Sequence, residues 1–145
     1  MAFMTRYINR IARLSGLHRA AQLKEYGLNG IHHTYIINIC KNPGITQESL
    51  AKLIFVNKSN VTRQLSYLEK EEYILRKPDP LDRRKTCVYP TQKAENILPI
   101  IEKMLVDWNN ELLSQVPEDE RESLIKNLNN IMDYAEISLQ KKEEV

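Results

Sequence analysis

The segment from Thr46 to Leu68 places the strongest constraint on the fold, because its apolar residues follow helical spacing in two short runs. Positions three and four apart lie on one face of an α-helix, so each run predicts a helix with one buried face. Only a few residues separate the runs, which predicts a tight turn. The apolar positions are Leu50, Leu53, Ile54 and Val56 in the first run, and Val61, Leu65 and Leu68 in the second.

The other face of the second predicted helix is polar and has no carboxylate before Glu69. Asn, Gln and Arg side chains pair with base edges, whereas Ser, Thr and Lys reach phosphates. A surface helix without this demand more often mixes Glu with Lys. The segment therefore predicts a DNA-binding helix-turn-helix. The predicted contacts are Asn57, Lys58, Ser59, Asn60, Thr62, Arg63 and Gln64, with Thr46 and Gln47 at the start of the first helix.

The starts of both predicted helices carry residues that cap helices well. Thr46 suits the N-cap of the first helix, and Glu48 follows in its first turn, where the helix dipole favours a negative charge. Asn57 suits the N-cap of the second helix. These signals predict where each helix begins independently of the apolar pattern.

Two short β-prone runs, Tyr73–Lys77 and Lys85–Tyr89, follow the helix-turn-helix. The residues between them, 78–82, read PDPLD and form a turn sequence, so the pair predicts a β-hairpin. A basic hairpin in this place is typical of a wing, which lies along a phosphate backbone or inserts an Arg into a minor groove. An ordinary solvated hairpin is the alternative. The wing residues predicted to contact DNA are Arg76, Lys77, Asp82, Arg83, Arg84 and Lys85.

Helical patterns flank this central part on both sides. Residues 3–25 repeat apolar positions at three- and four-residue steps, and residues 31–41 are strongly apolar, with β-branched residues that keep a strand open as the alternative. Residues 91–115 carry an apolar stripe at nearly heptad spacing, and Pro117 begins a last helix with an acidic first turn. The predicted fold class is mainly α: about six helices and a β-hairpin wing in a single domain, 1–145.

The long terminal helices suggest a homodimer. A winged module over residues 31–90 needs neither end of the chain in order to fold. We therefore expect residues 3–27 and 91–140 to be dimerisation helices, since operators are commonly recognised with two-fold symmetry. Such a dimer predicts a pseudo-palindromic operator. The alternative is that the apolar stripes pack only within the core of the monomer.

Charge is distributed unevenly, although the net charge is only +2. Residues 1–27 carry a net charge of +4 and residues 73–90 of +3, while residues 117–145 carry −4. This asymmetry is suited to binding a polyanion on one face of the protein only. No apolar run approaches the roughly 20 residues that span a bilayer, and the start of the chain lacks a secretory signal. With only two cysteines, we expect a cytoplasmic protein without membrane contact.

These residues resemble the MarR (multiple antibiotic resistance regulator) family of bacterial transcription factors over nearly the whole chain. The most specific matches are Gly44–Leu53 (GITQESLAKL), Asn57–Arg63 (NKSNVTR), Leu68–Lys70 (LEK) and Asp82–Arg84 (DRR). A helix-turn-helix pattern followed at this spacing by Asp-Arg-Arg on a hairpin is a strong signal.

The resemblance implies a homodimeric, triangular winged-helix protein that binds double-stranded DNA. Its second motif helix would lie in the major groove, and Arg84 would enter or flank the minor groove, oriented by Asp82. Proteins of this family usually repress neighbouring genes. A small, frequently aromatic ligand or an oxidant commonly releases them from DNA.

Three places depart from the family pattern. Phe55 stands in the turn where Gly is common, Glu72 stands where Gly usually ends the recognition helix, and residues 90–94 read PTQKA instead of Leu-Thr-x-x-Gly. A left-handed backbone costs a residue other than Gly about 1 kcal/mol, so at Glu72 either the backbone differs or the fold absorbs the cost. The lost glycines also leave open a second function, a winged-helix protein-interaction module without specific DNA binding.

The remaining residue types predict no enzyme, metal site or cofactor. No nucleophile–base pair, Gly-rich phosphate loop or paired carboxylate motif is visible. His32 and His33 are adjacent, so on a helix they would point about 100° apart and would not readily share a metal ion.

Two cysteines and four aromatic or polar residues are candidate effector sites. Cys40 ends an apolar helix and is expected to pack as a small hydrophobic residue, while Cys87 lies on a wing strand, where an exposed thiol would be open to oxidation. The resemblance implies a ligand pocket near the hinge between the dimer helices and the winged module, and simple core packing is the alternative. The pocket candidates are His18, His32, His33 and Tyr35, with Tyr7 and Tyr26 nearby.

Overall fold

The computed structural model describes residues 3–143, and within them the chain forms six α-helices and one three-stranded sheet. A 3-10 turn, Lys24–Tyr26, follows the first helix. This order confirms the predicted fold class, and residues 31–41 prove helical rather than extended. The elements are α1 (Met4–Leu23), α2 (His32–Lys41), β1 (Ile45–Thr46), α3 (Gln47–Ile54), α4 (Lys58–Lys70), β2 (Ile74–Pro78), β3 (Thr86–Pro90), α5 (Gln92–Leu113) and α6 (Glu118–Glu143).

The sheet has the strand order β1-β3-β2, and both strand pairs are antiparallel. Val88 in the central strand pairs with Arg76 on one side and with Ile45 on the other. The sequence did not predict β1, because a strand of two residues leaves no periodic signal. This strand joins the start of α3 to the wing.

The buried core lies between α2, α3, α4, the sheet and the first half of α5. Burying one large aliphatic side chain contributes about 1.5–3 kcal/mol, so the core supplies most of the driving force. The prediction that Leu53 is buried is wrong, because that side chain is 49 % exposed. The buried face of α3 is centred on Leu50, Ala51 and Ile54, and Leu53 lies more than a quarter turn away from that centre.

The described chain forms two compact units, the first ending at Met104 and the second beginning at Leu105. The first unit contains the winged part, α1, and the half of α5 that buries Ala94, Ile97 and Ile101. The second unit contains the end of α5 and all of α6, which has no buried residue. Among residues 3–143 no helix is both long and apolar enough to cross a membrane.

Phe55 and Glu72 both adopt the left-handed conformation, with φ of 56° and 63°. The backbone therefore takes the shape that glycine favours, and the fold absorbs the cost. After Glu72, the backbone N–H of Tyr73 donates to the Leu68 carbonyl at 2.9 Å, which satisfies the end of α4.

We expect Glu72→Gly to raise the free energy of unfolding by about 1 kcal/mol, because glycine relieves the left-handed strain. Glu71→Gly is the matched control, since Glu71 has an ordinary φ of −80°. Glycine there should only destabilise the fold, because it raises the conformational entropy of the unfolded chain. Urea denaturation of the two variants and the parent measures the difference. Destabilisation by both substitutions would contradict this account.

Gly30 lies in close contact with α1. A Cβ atom added to Gly30 would lie 2.2 Å from the carbonyl oxygen of Gly16, so no larger residue fits. Arg19 strengthens the contact, because its Nε donates to the Gly30 carbonyl at 2.8 Å. The two glycines therefore set how closely α1 approaches the start of α2.

We expect Gly30→Ala to lower the free energy of unfolding by about 1–3 kcal/mol, the usual range for overpacking. Gly16→Ala is the control, because its Cβ would meet only the Arg19 guanidinium at 3.8 Å. That substitution should stabilise α1 by up to about 1 kcal/mol, since alanine favours helices over glycine. Equal thermal midpoints for the two variants would disprove the close-approach argument.

Candidate nucleic-acid interface

Both predicted N-caps of the helix-turn-helix are confirmed. The Thr46 hydroxyl accepts from the backbone N–H of Ser49 at 3.1 Å, and the Asn57 side chain accepts from that of Asn60 at 2.8 Å. Helix α4 buries Val61, Leu65 and Leu68 as predicted, which leaves its other face to solvent.

The exposed face of α4 is already ordered by local hydrogen bonds. Arg63 donates from Nη2 to Asn60 Oδ1 at 2.8 Å, and the Ser59 hydroxyl donates to Asn57 Oδ1 at 2.9 Å. The Thr62 hydroxyl donates back to the Lys58 carbonyl at 2.9 Å. These polar groups are presented to solvent with little freedom left to lose on binding.

A cleft opens between α3, the start of α4 and the wing, and it brings residues from all three predicted contact sets together. One feature was missed by sequence reasoning: Glu48, on α3, lies 3.5 Å from the Lys58 ammonium. Lys58 and then Lys52 lower the pKa of the Glu48 carboxyl. The residue pattern of α4 could not predict this carboxylate, because Glu48 belongs to the neighbouring helix α3. The cleft is lined by Thr46, Gln47, Glu48, Lys58, Thr62, Arg84, Lys85 and Thr86.

Arg76, predicted as a DNA contact of the wing, makes several contacts within the protein. Its side chain is only 21 % exposed, and its Nη2 lies 3.1 Å from Glu69 Oε1. The same guanidinium donates to the Ser66 hydroxyl at 3.2 Å and to Gln47 Oε1 at 3.4 Å. Hydrogen bonds from Arg76 also lower the pKa of the Glu69 carboxyl. We call this group of four residues the Arg76 brace, because it joins β2 to both motif helices.

The wing tip presents Arg84 to solvent, with 91 % of its side chain exposed. Arg84 donates from Nε to Asp82 Oδ1 at 3.1 Å and from Nη2 to Oδ2 at 3.2 Å. The expected contact between Asp82 and Arg84 is therefore present, and it lowers the pKa of the Asp82 carboxyl. Arg83 and Lys85 are exposed beside them, while Lys77 lies over the Tyr89 ring at 5.5 Å.

Gln64, predicted to contact DNA, is hydrogen-bonded to His32. The Nδ1 atom of buried His32 accepts from the Asn29 backbone N–H at 3.1 Å, so Nε2 carries the hydrogen and donates to Gln64 Oε1 at 3.0 Å. The His32 ring stacks on Tyr67 with centroids 5.0 Å apart. Burial lowers the pKa of His32, which favours this neutral form. The His32 contact thus connects α2 to the recognition helix.

The four candidate pocket residues differ in their surroundings. His32 lines a surface cleft with Arg63, Gln64 and Tyr67, whereas His18, His33 and Tyr35 do not line it. Tyr35 is 2 % exposed and belongs to the core.

The pKa of His33 also departs strongly from its usual value. Burial, followed by the charge of Arg19, lowers the pKa of His33 to about 4. The side chain is therefore neutral at neutral pH.

Cys87, which the sequence left open as an exposed thiol, is only 5 % exposed. It lies on the central strand, between Thr46 of β1 and Lys77 of β2. Burial raises its pKa, and burial together with Glu95 and Glu102 raises that of half-buried Cys40 to about 11. Within residues 3–143, no three metal-binding side chains are grouped as a site.

A capped helix-turn-helix followed by a basic hairpin defines the winged-helix class of DNA-binding proteins. A model of the MarR family matches residues 26–85. The chain is 31 % identical over 111 residues to the HTH-type transcriptional regulator BilQ of Clostridioides difficile, covering 77 % of this chain and 75 % of BilQ. It is also 28 % identical to the uncharacterized HTH-type regulator YybA of Bacillus subtilis, over 82 % and 79 % of the two chains. The chain belongs to the MarR family of transcriptional regulators.

Solved structures agree with this assignment. The transcriptional regulator SlyA superposes with a TM-score of 0.89 at 28 % identity, over 96 % of this chain and 98 % of SlyA. A MarR family regulator from Listeria monocytogenes, solved in complex with a 26mer DNA, superposes with a TM-score of 0.84 at 26 % identity, over 92 % and 89 % of the chains.

We expect Arg76→Ala to weaken DNA binding without changing its salt dependence, because the brace positions the wing and makes no phosphate contact. A lost phosphate contact would instead reduce the slope of log K against log salt by about 0.9. A double-mutant cycle with Glu69→Ala should show a coupling of roughly 0.5–1 kcal/mol in unfolding free energy, as expected for a partly exposed pair. A reduced salt slope for Arg76→Ala would show that Arg76 contacts a DNA phosphate.

Proposed function

We propose that the protein is a homodimeric repressor that binds a pseudo-palindromic operator in double-stranded DNA. The observation that carries the proposal is the cleft in which α3, α4 and the wing meet. Lys58 and Thr62 from the recognition helix and Arg84 from the wing all line it. One side of the molecule therefore offers base-reading side chains and a minor-groove arginine together.

The major-groove contacts fall to the exposed residues of α4. Arg63 and Asn60 pair with each other in the free protein, and both groups pair bidentately with purines in DNA. Lys58 and Ser59 at the helix start suit phosphate contacts. Gln64 holds His32, so its part in this proposal is to position α4 rather than to read a base.

The dimer is supported by the exposed apolar residues of the terminal helices. Helix α1 exposes Tyr7, Ile11 and Leu17 at 57 %, 50 % and 69 %. A monomer rarely exposes contiguous apolar patches of this kind, so in the proposal a second copy covers them. Residues 3–27 and 91–140 form the dimerisation helices, and residues 31–90 bind DNA. The exposed large hydrophobic residues of α6 are Ile125, Leu128, Ile131, Met132, Tyr134, Ile137 and Leu139.

The effector in this proposal is a small aromatic compound bound near His32. Support comes from the contacts of His32 with Gln64 and Tyr67, since both belong to the recognition helix. A ligand that moved the His32 ring would break these contacts and shift α4. Because the target is genomic DNA, the proposed location is the cytoplasm.

A protein-interaction module without specific DNA binding is the alternative function. The observation in its favour is the apolar surface at the end of α3, where Leu53 is 49 % exposed and Phe55 is 70 % exposed. Absence of DNA binding even at low salt would support this alternative.

We expect the double substitution Arg63→Ala, Arg84→Ala to abolish operator binding while the dimer persists. DNA from upstream of the protein's own gene and its neighbours is the probe, measured by fluorescence anisotropy at several salt concentrations. Each phosphate contact contributes about −0.9 to the slope of log K against log salt, and each base contact about 1–3 kcal/mol of discrimination. Analytical ultracentrifugation tests the dimer.

The matched control is Lys142→Ala, which removes a positive charge from the exposed last turn of α6, outside the proposed dimerisation helices. This variant should bind as the parent does. Unchanged operator binding by the double variant would disprove the proposed function.

A further inference from the structure

The wing tip carries an apolar side chain that the fold does not use. Leu81 is 97 % exposed, the highest value among the large apolar side chains with substantial exposure in residues 3–143. It lies between Pro80 and Asp82, in a loop otherwise made of turn-forming and charged residues. A solvated turn has no need of a leucine at this position, where hydrophobic exposure brings no stability.

Local hydrogen bonds hold the loop around Leu81. The Leu81 backbone N–H donates to Asp79 Oδ1 at 2.9 Å. The hairpin is closed by the Asp79 N–H, which donates to the Lys85 carbonyl, and by the Lys85 N–H, which donates to the Asp82 carbonyl, both at 2.9 Å. Leu81 is therefore presented at a fixed place relative to Arg84, which Asp82 orients through two side-chain contacts.

The surroundings of Leu81 indicate what covers it. After Asp82 come Arg83, Arg84 and Lys85, all exposed, so the tip carries a net positive charge and attracts a polyanion. One leucine offers far less area than the roughly 800 Å² per partner of a stable protein interface. Leu81 also lies three residues before Arg84, which lines the cleft between α3, α4 and the wing together with Lys85. The occupant that fits this chemistry is the groove of a nucleic acid.

We propose that Leu81 enters the DNA minor groove beside Arg84 and selects base pairs that lack the guanine 2-amino group. This inference rests on the proposed function. Apolar side chains are frequent wedges in minor-groove binders, usually next to Arg or Lys. The groove floor of an A·T pair shows only acceptors, whereas G·C adds a protruding donor. An apolar group against that donor blocks it and leaves it without a partner, which opposes binding.

Inosine provides the test, because an inosine·cytosine pair keeps the major-groove edge of G·C but lacks the 2-amino group. The full-length protein first selects duplexes from a random-sequence library. In the enriched duplex, each A·T pair outside the two major-groove half-sites is replaced by G·C and then by I·C. Affinities are measured for the parent, for Leu81→Asn, and for Leu81→Met as an apolar control. Thermal melts check that the variants remain folded.

We expect the parent to lose roughly five- to tenfold in affinity with G·C at the wing-facing positions, in line with the usual cost of one wrong base pair. I·C should restore the affinity. Leu81→Met should keep this discrimination, whereas Leu81→Asn should change less than about twofold between the three pairs. Because leucine is uncharged, Leu81→Asn should also leave the salt slope unchanged, in contrast to Arg84→Ala.

The outcomes separate this inference from the proposed function. Enrichment of a specific duplex, with the same inosine response in the parent and in Leu81→Asn, would overturn only the role of Leu81. Loss of the discrimination in both Leu81 variants would show that apolar character is not what counts, and would also overturn it. Failure to enrich any sequence would overturn the proposed function, and this inference with it.

Discussion

The placement of the wing against both motif helices depends on the Arg76 brace. A wing is useful only at a fixed angle to the recognition helix, and two strands joined by a turn do not set that angle. The Arg76 guanidinium reaches Glu69 and Ser66 on α4 and Gln47 on α3. A partly exposed ion pair contributes at most about 1 kcal/mol to stability, so its main effect is on geometry. The short β1–β3 pairing supports the same arrangement from the other edge of the sheet.

Two strained residues are retained beside this junction. Phe55 and Glu72 adopt left-handed backbone conformations at the ends of α3 and α4. The strain at Glu72 is offset by Tyr73, which is 1 % exposed and donates from its hydroxyl to the Tyr26 carbonyl at 2.6 Å. Buried packing next to a tight turn holds a conformation that the residue itself disfavours. Glycine is therefore dispensable at these two turns, and the fold of the family persists without it.

The recognition helix is also tied to the rest of the first unit from behind. His32 and Gln64 are separated by 32 residues in sequence, and their hydrogen bond joins the start of α2 to α4. The Tyr67 hydroxyl adds a second link to the carbonyl of Gly27 at 2.5 Å. The face of α4 predicted to contact DNA and the face that receives these contacts therefore belong to the same helix.

The sequence alone determined the features that depend on near neighbours along the chain. Both N-caps, the apolar spacing of α4 and the turn of the wing follow from residues within four positions of one another, and the family motifs add the order of the elements. The tertiary structure decided everything that depends on distant neighbours. Cys87 is buried on the central strand of the sheet, and Gln64 is hydrogen-bonded to the buried His32. Arg76 braces the wing because Glu69 and Gln47 surround it. A pattern of residue types records which face of an element is apolar, but only the packed fold shows which polar group is used internally and which remains for DNA.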